Sequence, residues 1–154
     1  MNSKEKSDLF WKEYLKLHPE AGEIYDVWSF GDNPRLAYEL LELVRQGVKT
    51  GTASSYDLYE MRGETVPFLG GYSVILDEKG DPKVIVVTTK LQILPFDEVG
   101  AEFAYTEGED DRTLESWRHE HELYFTREWN AINKPFNPKM KVVCENFKVV
   151  YMKS

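Results

Sequence analysis

The stretch GGYSVILDEKGDPKVIVVTTKLQIL, residues 70–94, constrains the fold more than any other part of the chain. Two runs rich in valine and isoleucine flank DEKGDP, in which Gly80 and Pro82 interrupt any regular element and suit a reversal. The pattern predicts a β-hairpin. A further strand is predicted at MKVVCENFKVVYM, residues 140–152, where Val143, Phe147, Val149 and Tyr151 share one phase of a two-residue alternation. Helical signals surround these strands. SDLFWKEYLKLHP carries Phe10, Tyr14 and Leu17 at helical spacing, with Ser7 or Asp8 as a cap and Pro19 just past its end. In DNPRLAYELLELVRQG, Asn33 suits the N-cap, Pro34 the first helical position and Gly47 a left-handed stop, while Leu36, Ala37, Leu40, Leu41 and Val44 form the buried face. RTLESWRHEHELYFTREW predicts another helix, capped by Thr113, with Leu114, Trp117, His121 and Phe125 near one face. Helices and strands without a repeated strand–helix–strand rhythm indicate the α+β class.

Composition bounds the function. The chain has 154 residues, of which 42% are hydrophobic and 14% aromatic, enough for one domain with a proper core. No apolar run reaches the roughly 20 residues that cross a bilayer, and the first residues carry no apolar signal core. The single cysteine, Cys144, leaves no internal disulfide and no cysteine-based zinc cluster; within a β-rich run it reads as a small buried hydrophobe. These features predict a soluble, cytoplasmic protein without membrane partners. The net charge of −8 disfavours capture of double-stranded DNA, whose binding rests on phosphate neutralisation.

One loop is unusual. QGVKTGTASSY, residues 46–56, sets Lys49 between glycines with Thr50, Thr52, Ser54 and Ser55 behind it. A phosphate-binding P-loop requires lysine after the second glycine; here Lys49 precedes Gly51, so that motif is excluded. Two readings remain from the residues. Either the segment is a solvated link after a helix stop, or a buried Lys49 loses pKa through desolvation and takes a proton from the Thr52 hydroxyl, three residues on. Downstream, EFAYTEGEDDRTLESW holds a dense acidic run. Glu109, Asp110 and Asp111 read as a solvated loop favouring the following helix N-terminus, whereas Glu107, next to Phe103, Ala104 and Tyr105, sits where a carboxylate can orient a lysine or carry a proton.

The same weighing applies to histidines and aromatics. On a helix His119 and His121 lie about 200° apart and cannot share one ion, so no metal site is expected there. His121, in phase with Trp117 and Phe125, reads as a hydrogen-bonded histidine near the core, with an orienting role beside a cleft as the alternative. Trp11, Trp117 and Trp129 fall in or beside helices and read as core. Trp28 and Phe30, in the expected loop YDVWSFGDNP, are better placed as a cleft wall, able to stack a base.

Taken together, FGDNPRLAYELLELVRQGVKTGTAS, the hairpin, FAYTEGEDDRTLESWRHEHELYF and VVCENFKVVYM resemble the ASCH-domain family, in its bacterial stand-alone branch, over about residues 27–152. The signature elements are Gly47, Lys49, Thr50 and Thr52 after a helix, then an acidic element after a Phe-Ala pair. The resemblance implies a PUA-like small β-barrel with helices packed around it, spanning residues 27–154; residues 1–26 are an addition to that pattern, expected as a helical extension packed on the domain. It also implies RNA or nucleotide chemistry without a cofactor. Some small members resemble amidohydrolases of N4-acetylcytidine that use a lysine, a threonine and a glutamate, and another is regarded as a ribonuclease. Position by position, Lys49, Thr52 and Glu107 take the catalytic places. Thr50, Ser54, Arg62, Trp28 and His121 are expected to contact substrate, a nucleoside or single-stranded RNA. This chain has Ser54 where the very small amidohydrolases carry arginine. The expected function is therefore a hydrolase of a modified nucleoside or of RNA, and the alternative is a non-catalytic RNA-binding module.

Overall fold

A computed structural model describes residues 1–153. In chain order the elements are α1 (Ser3–Leu17), β1 (Asp26–Ser29), α2 (Pro34–Arg45), β2 (Gly51–Ser55), α3 (Tyr56–Arg62), β3 (Tyr72–Leu76), β4 (Pro82–Pro95), α4 (Ala101–Glu107), α5 (Leu114–Asn130) and β5 (Lys141–Met152). The strands form a mixed five-stranded sheet in the order β1-β3-β4-β5-β2. This is the expected α+β class. Contacts divide the chain into two compact units, and the long strands β4 and β5 contribute to both.

The first unit comprises Met1–Gly47, Phe68–Thr89 and Phe147–Ser154. Its centre is the hairpin: Val74 pairs with Ile85 and Ile75 with Val84 in antiparallel register, and Gly80, at φ +81°, makes the turn. Both faces of this hairpin are covered, which is why its apolar runs are continuous and not alternating. Phe10, Trp11 and Tyr14 of α1 pack on Val74 and Ile85. Phe30, with Leu41 and Val44 of α2, packs on Ile75, Val84 and Val86. Both helices are capped by an asparagine, only α2 where it was expected: Asn33 accepts from the Leu36 N–H before Pro34, and Asn2 accepts from the Glu5 N–H. α1 thus starts four residues before the Ser7 cap expected from sequence. Ser7 is instead buried, on the face that packs inward. The strand β1, parallel to β3, replaces an expected loop. Four residues are too few for a periodic signal, and only the pairing with β3 makes them a strand.

The second unit comprises Val48–Pro67 and Lys90–Asn146. Trp117, Phe125 and Trp129 of α5 pack with Phe96, Phe103, Ala104, Val142 and Cys144. Strand β2 runs antiparallel to β5, with Ala53 opposite Cys144, Thr52 opposite Glu145 and Ser54 opposite Val143. Ala53 and Cys144 point into this core; by alternation, Thr52, Ser54, Val143 and Glu145 share the opposite face of the pair. The short helices α3 and α4 fall where no helix was expected from the sequence. α4 is bounded by Gly100 at its N-cap and Gly108, left-handed at φ +69°, at its C-cap.

Candidate functional site: a buried lysine at the end of a helix

The site is built where the chain after α2 meets the C-terminal turn of α4. Gly47, at φ +78°, ends the α2 segment. The Thr50 N–H then donates to the Thr106 carbonyl at 2.7 Å. Two glycines let the backbones come this close. A Cβ on Gly51 would stand 2.7 Å from Thr106 Oγ1 and 2.9 Å from Asn146 Nδ2, and one on Gly108 would stand 2.6 Å from the Val48 carbonyl oxygen. The Asn146 amide closes the junction, donating to the Thr50 carbonyl at 3.2 Å and to Thr106 Oγ1 at 2.9 Å. Lys49 is thereby delivered, 1% exposed, against the end of α4.

Its ammonium donates to Glu107 Oε1 at 3.0 Å, to Glu109 Oε2 at 3.0 Å and to the Glu107 carbonyl at 3.3 Å. That carbonyl belongs to the last turn of α4, where a cation is favoured. Burial by itself would lower the lysine pKa, as the sequence reading of a basic Lys49 assumes. The Glu107 and Glu109 carboxylates outweigh burial and raise it. Lys49 is a fixed cation.

The other side of Glu107 is also occupied. Its Oε2 accepts from the Trp117 indole N–H and lies 2.9 Å from His121 Nε2. His121 stacks on Trp117 with ring centres 4.2 Å apart, and its Nδ1 is 2.9 Å from the Trp117 carbonyl. A carbonyl only accepts, so Nδ1 carries a proton. The short contact between Nε2 and Oε2 then requires a second proton, on one group or the other. Two donors already stabilise the ionised carboxylate, so the proton sits on His121 and the ring is an imidazolium. The pKa directions agree. For His121 the desolvation that would lower it is overcome by Glu107 and Glu109, and the value is raised. For Glu107 burial would raise it, but Lys49, His121 and the Trp117 N–H hold it well below the usual carboxylate range. Two positive and two negative charges therefore cancel in one nearly dry cluster. Cys144 lies beside it; burial and the Glu107 charge push its thiol up to about 12, so it is no nucleophile at neutral pH.

Oxygen and nitrogen atoms of Glu107, Glu109 and His121 lie within 4.8 Å of one another, a grouping that could hold a metal ion. The sequence pointed to no metal because it paired His121 with His119 and weighed the acidic run apart from both; the fold brings His121 to Glu107 at the end of α4 and Glu109 in the loop after it. The Lys49 ammonium, 3.0 Å from both glutamates, already supplies the cation between them.

The remaining expected residues divide. Thr50 is tied to the same helix end, its hydroxyl donating to the Thr106 carbonyl at 3.4 Å. Thr52 is half-buried on β2 opposite the buried Glu145. Ser54 Oγ pairs with the Tyr59 hydroxyl at 2.8 Å. Arg62 is exposed and forms an ion pair with Glu128 at 3.6 Å. Trp28 belongs to the first unit, packed edge-to-face on Phe30 at 4.8 Å. Three participants escaped sequence reasoning. Trp117 read as core, although its spacing of four from His121 on α5 places both on one helical face. Glu109 read as a solvated carboxylate, and Asn146 carried no signal.

The mixed five-stranded sheet with helices packed on it is the fold of small PUA-like domains. The sequence matches the ASCH domain over residues 26–151, and the chain belongs to the ASCH-domain family. Protein EF3133 from Enterococcus faecalis V583 has a similar crystal structure, with 38% identity, a TM-score of 0.89, and 96% of this chain and 90% of that one covered. The ASCH domain from Lactobacillus crispatus JV V101 is 30% identical, with a TM-score of 0.87 over 96% of this chain and 95% of that one. The hypothetical protein PH0355, at 17% identity and a TM-score of 0.53, covers 82% of this chain and 100% of its own and shares the fold alone. No curated protein is a significant match. The fold is of a kind related to RNA binding. Among the described residues, no helix is long and apolar enough to cross a membrane.

Proposed function

We propose that this ASCH domain is a hydrolase acting on RNA or on a modified nucleoside of the N4-acetylcytidine type, working in the cytoplasm. The observation that carries the reading is the buried cluster of Lys49, Glu107 and His121. Desolvating such charges costs several kcal/mol per ion, and apolar side chains of similar volume would hold a core as well or better. Retaining them argues for chemistry.

The roles follow from the protonation states. A protonated Lys49 serves as the positive charge that stabilises an oxyanion or a phosphate in the transition state, not as the base. The proton between His121 and Glu107 is the one available for a leaving group. In RNA cleavage the substrate 2′-hydroxyl would give its proton to solvent water as it attacks phosphorus, and the 5′-oxygen would leave with the proton from His121, giving a 2′,3′-cyclic phosphate. In the amide reaction the Thr52 hydroxyl would attack the acetyl carbon and its proton would pass to the departing amine, which leaves as cytidine; water would then release acetate and restore the Thr52 hydroxyl. The raised Lys49 pKa favours the first. A second reading keeps Lys49 as a phosphate contact in a non-catalytic module for single-stranded RNA.

The test is hydrolysis of N4-acetylcytidine beside cleavage of single-stranded RNA, with wild type, Lys49→Ala and Thr52→Ala, each checked for folding by circular dichroism. A loss of about 10²-fold or more in the Lys49 variant is expected for the hydrolase, the scale of losing one oxyanion donor. Loss in Thr52→Ala as well selects the amide route. Absent turnover with RNA still bound leaves the binding module.

A further inference from the structure

We propose that the Glu109 carboxylate stands in for the ligand at Lys49, marking a site for one negatively charged oxygen, of the kind a phosphodiester or a nucleotide phosphate presents. The inference rests on the reading of Lys49 as the substrate-facing cation.

The partners of Lys49 are unequal. Glu107 is as buried as the lysine and is tied to Trp117 and His121 as well. Glu109 side-chain exposure is 25%, against 1% for Lys49, 2% for Glu107 and 11% for His121, so its carboxylate is the member of the cluster most open to solvent. An oxygen arriving from solvent at the ammonium would take the place of Glu109 Oε2.

The loop that carries Glu109 is held by other residues. Gly108, Asp110 and Arg112 all have positive φ, which turns the chain back over the end of α4. Arg112 pins it there, stacking 3.7 Å over the Tyr105 ring and donating to the Tyr105 and Val48 carbonyls. Asp111 accepts from the Thr113 N–H and hydroxyl. The Glu109 side chain can therefore swing outward while the loop stays anchored.

Charge defines the ligand. With Glu109 in place the cluster is neutral; with its carboxylate withdrawn, Lys49, His121 and Glu107 leave one net positive charge. A singly charged oxygen restores neutrality, and a neutral nucleoside does not. Because the competitor is covalently present, it weakens every anionic ligand in proportion to the strength of its own contact with Lys49.

The experiment measures binding of cytidine 5′-monophosphate and of a short oligouridylate to wild type, Glu109→Gln and Asp110→Asn, by calorimetry and fluorescence anisotropy. Asp110 is the adjacent exposed carboxylate, so its variant controls for global charge. Glu109→Gln should bind both phosphate ligands about tenfold tighter or more, the scale of removing a charge-assisted hydrogen bond. Asp110→Asn and the binding of uncharged cytidine should not change. Equal gains in both variants, no gain in Glu109→Gln, or no phosphate binding to any protein would overturn the proposal. Tighter binding without turnover would keep this site and remove the hydrolase. Lysine-dependent turnover with unchanged affinity in Glu109→Gln would do the reverse.

Discussion

Replacing Glu107 by glutamine strikes the middle of the charged cluster. The variant keeps the shape but leaves the Lys49 ammonium with Glu109 as its carboxylate partner, and His121 facing a neutral amide. Removing one partner of a buried ion pair costs about 3–5 kcal/mol. For a chain of 154 residues, at about 2–4 °C per kcal/mol, the melting temperature should fall by about 6–20 °C. Lys49→Met strips the same contact from the other side, and the double variant loses the pair together. If Lys49 and Glu107 act as a unit, the double variant should be more stable than the sum of the single losses predicts, by at least about 1.5 kcal/mol. Thermal unfolding followed by circular dichroism on the four proteins at pH 7 reads this directly. Losses that add to within about 0.5 kcal/mol would refute the reasoning, as would a Glu107→Gln shift below about 3 °C.

Three further outcomes are expected. His121, with its raised folded pKa, adds stability that is complete below its ordinary value near 6.5 and is lost as pH rises through the raised one; Glu107, with its depressed pKa, adds stability present above about 4.5 and lost as pH falls through the lowered value. Melting temperature against pH should show both limbs in wild type, and His121→Gln should flatten the alkaline one. Gly108→Ala meets the Val48 carbonyl oxygen at 2.6 Å in a left-handed conformation, so it should cost about 2–4 kcal/mol, read as a lowered denaturant midpoint. Removing residues 1–26 uncovers Val74 and Ile85 by taking away Phe10, Trp11 and Tyr14; the truncated chain should bind a hydrophobic dye, whereas a chain that stays dye-silent and melts unchanged would make the extension dispensable.

What the sequence by itself determined was local. Asn33, Pro34 and Gly47 delimit α2, Thr113 caps α5 by accepting from the Ser116 N–H, and the valine-rich runs around Gly80 make the hairpin. Each acts within a few residues, through a cap, a turn or a pleat, so it can be read without knowing what packs nearby. Lys49 and Glu107 were also legible as candidates, by residue type and by resemblance. Their protonation was not. The two lie 58 positions apart, and the contact depends on Gly51 and Gly108 allowing two backbones to touch. Desolvation is a property of the buried lysine and predicts a lowered pKa; the carboxylates that reverse it arrive from another helix and its following loop. The same holds for Glu109, Trp117 and Asn146, ordinary in sequence and decisive once β2, α4, α5 and β5 are assembled. Charge balance in a dry cluster is a sum over groups from distant segments, and only the tertiary structure supplies it.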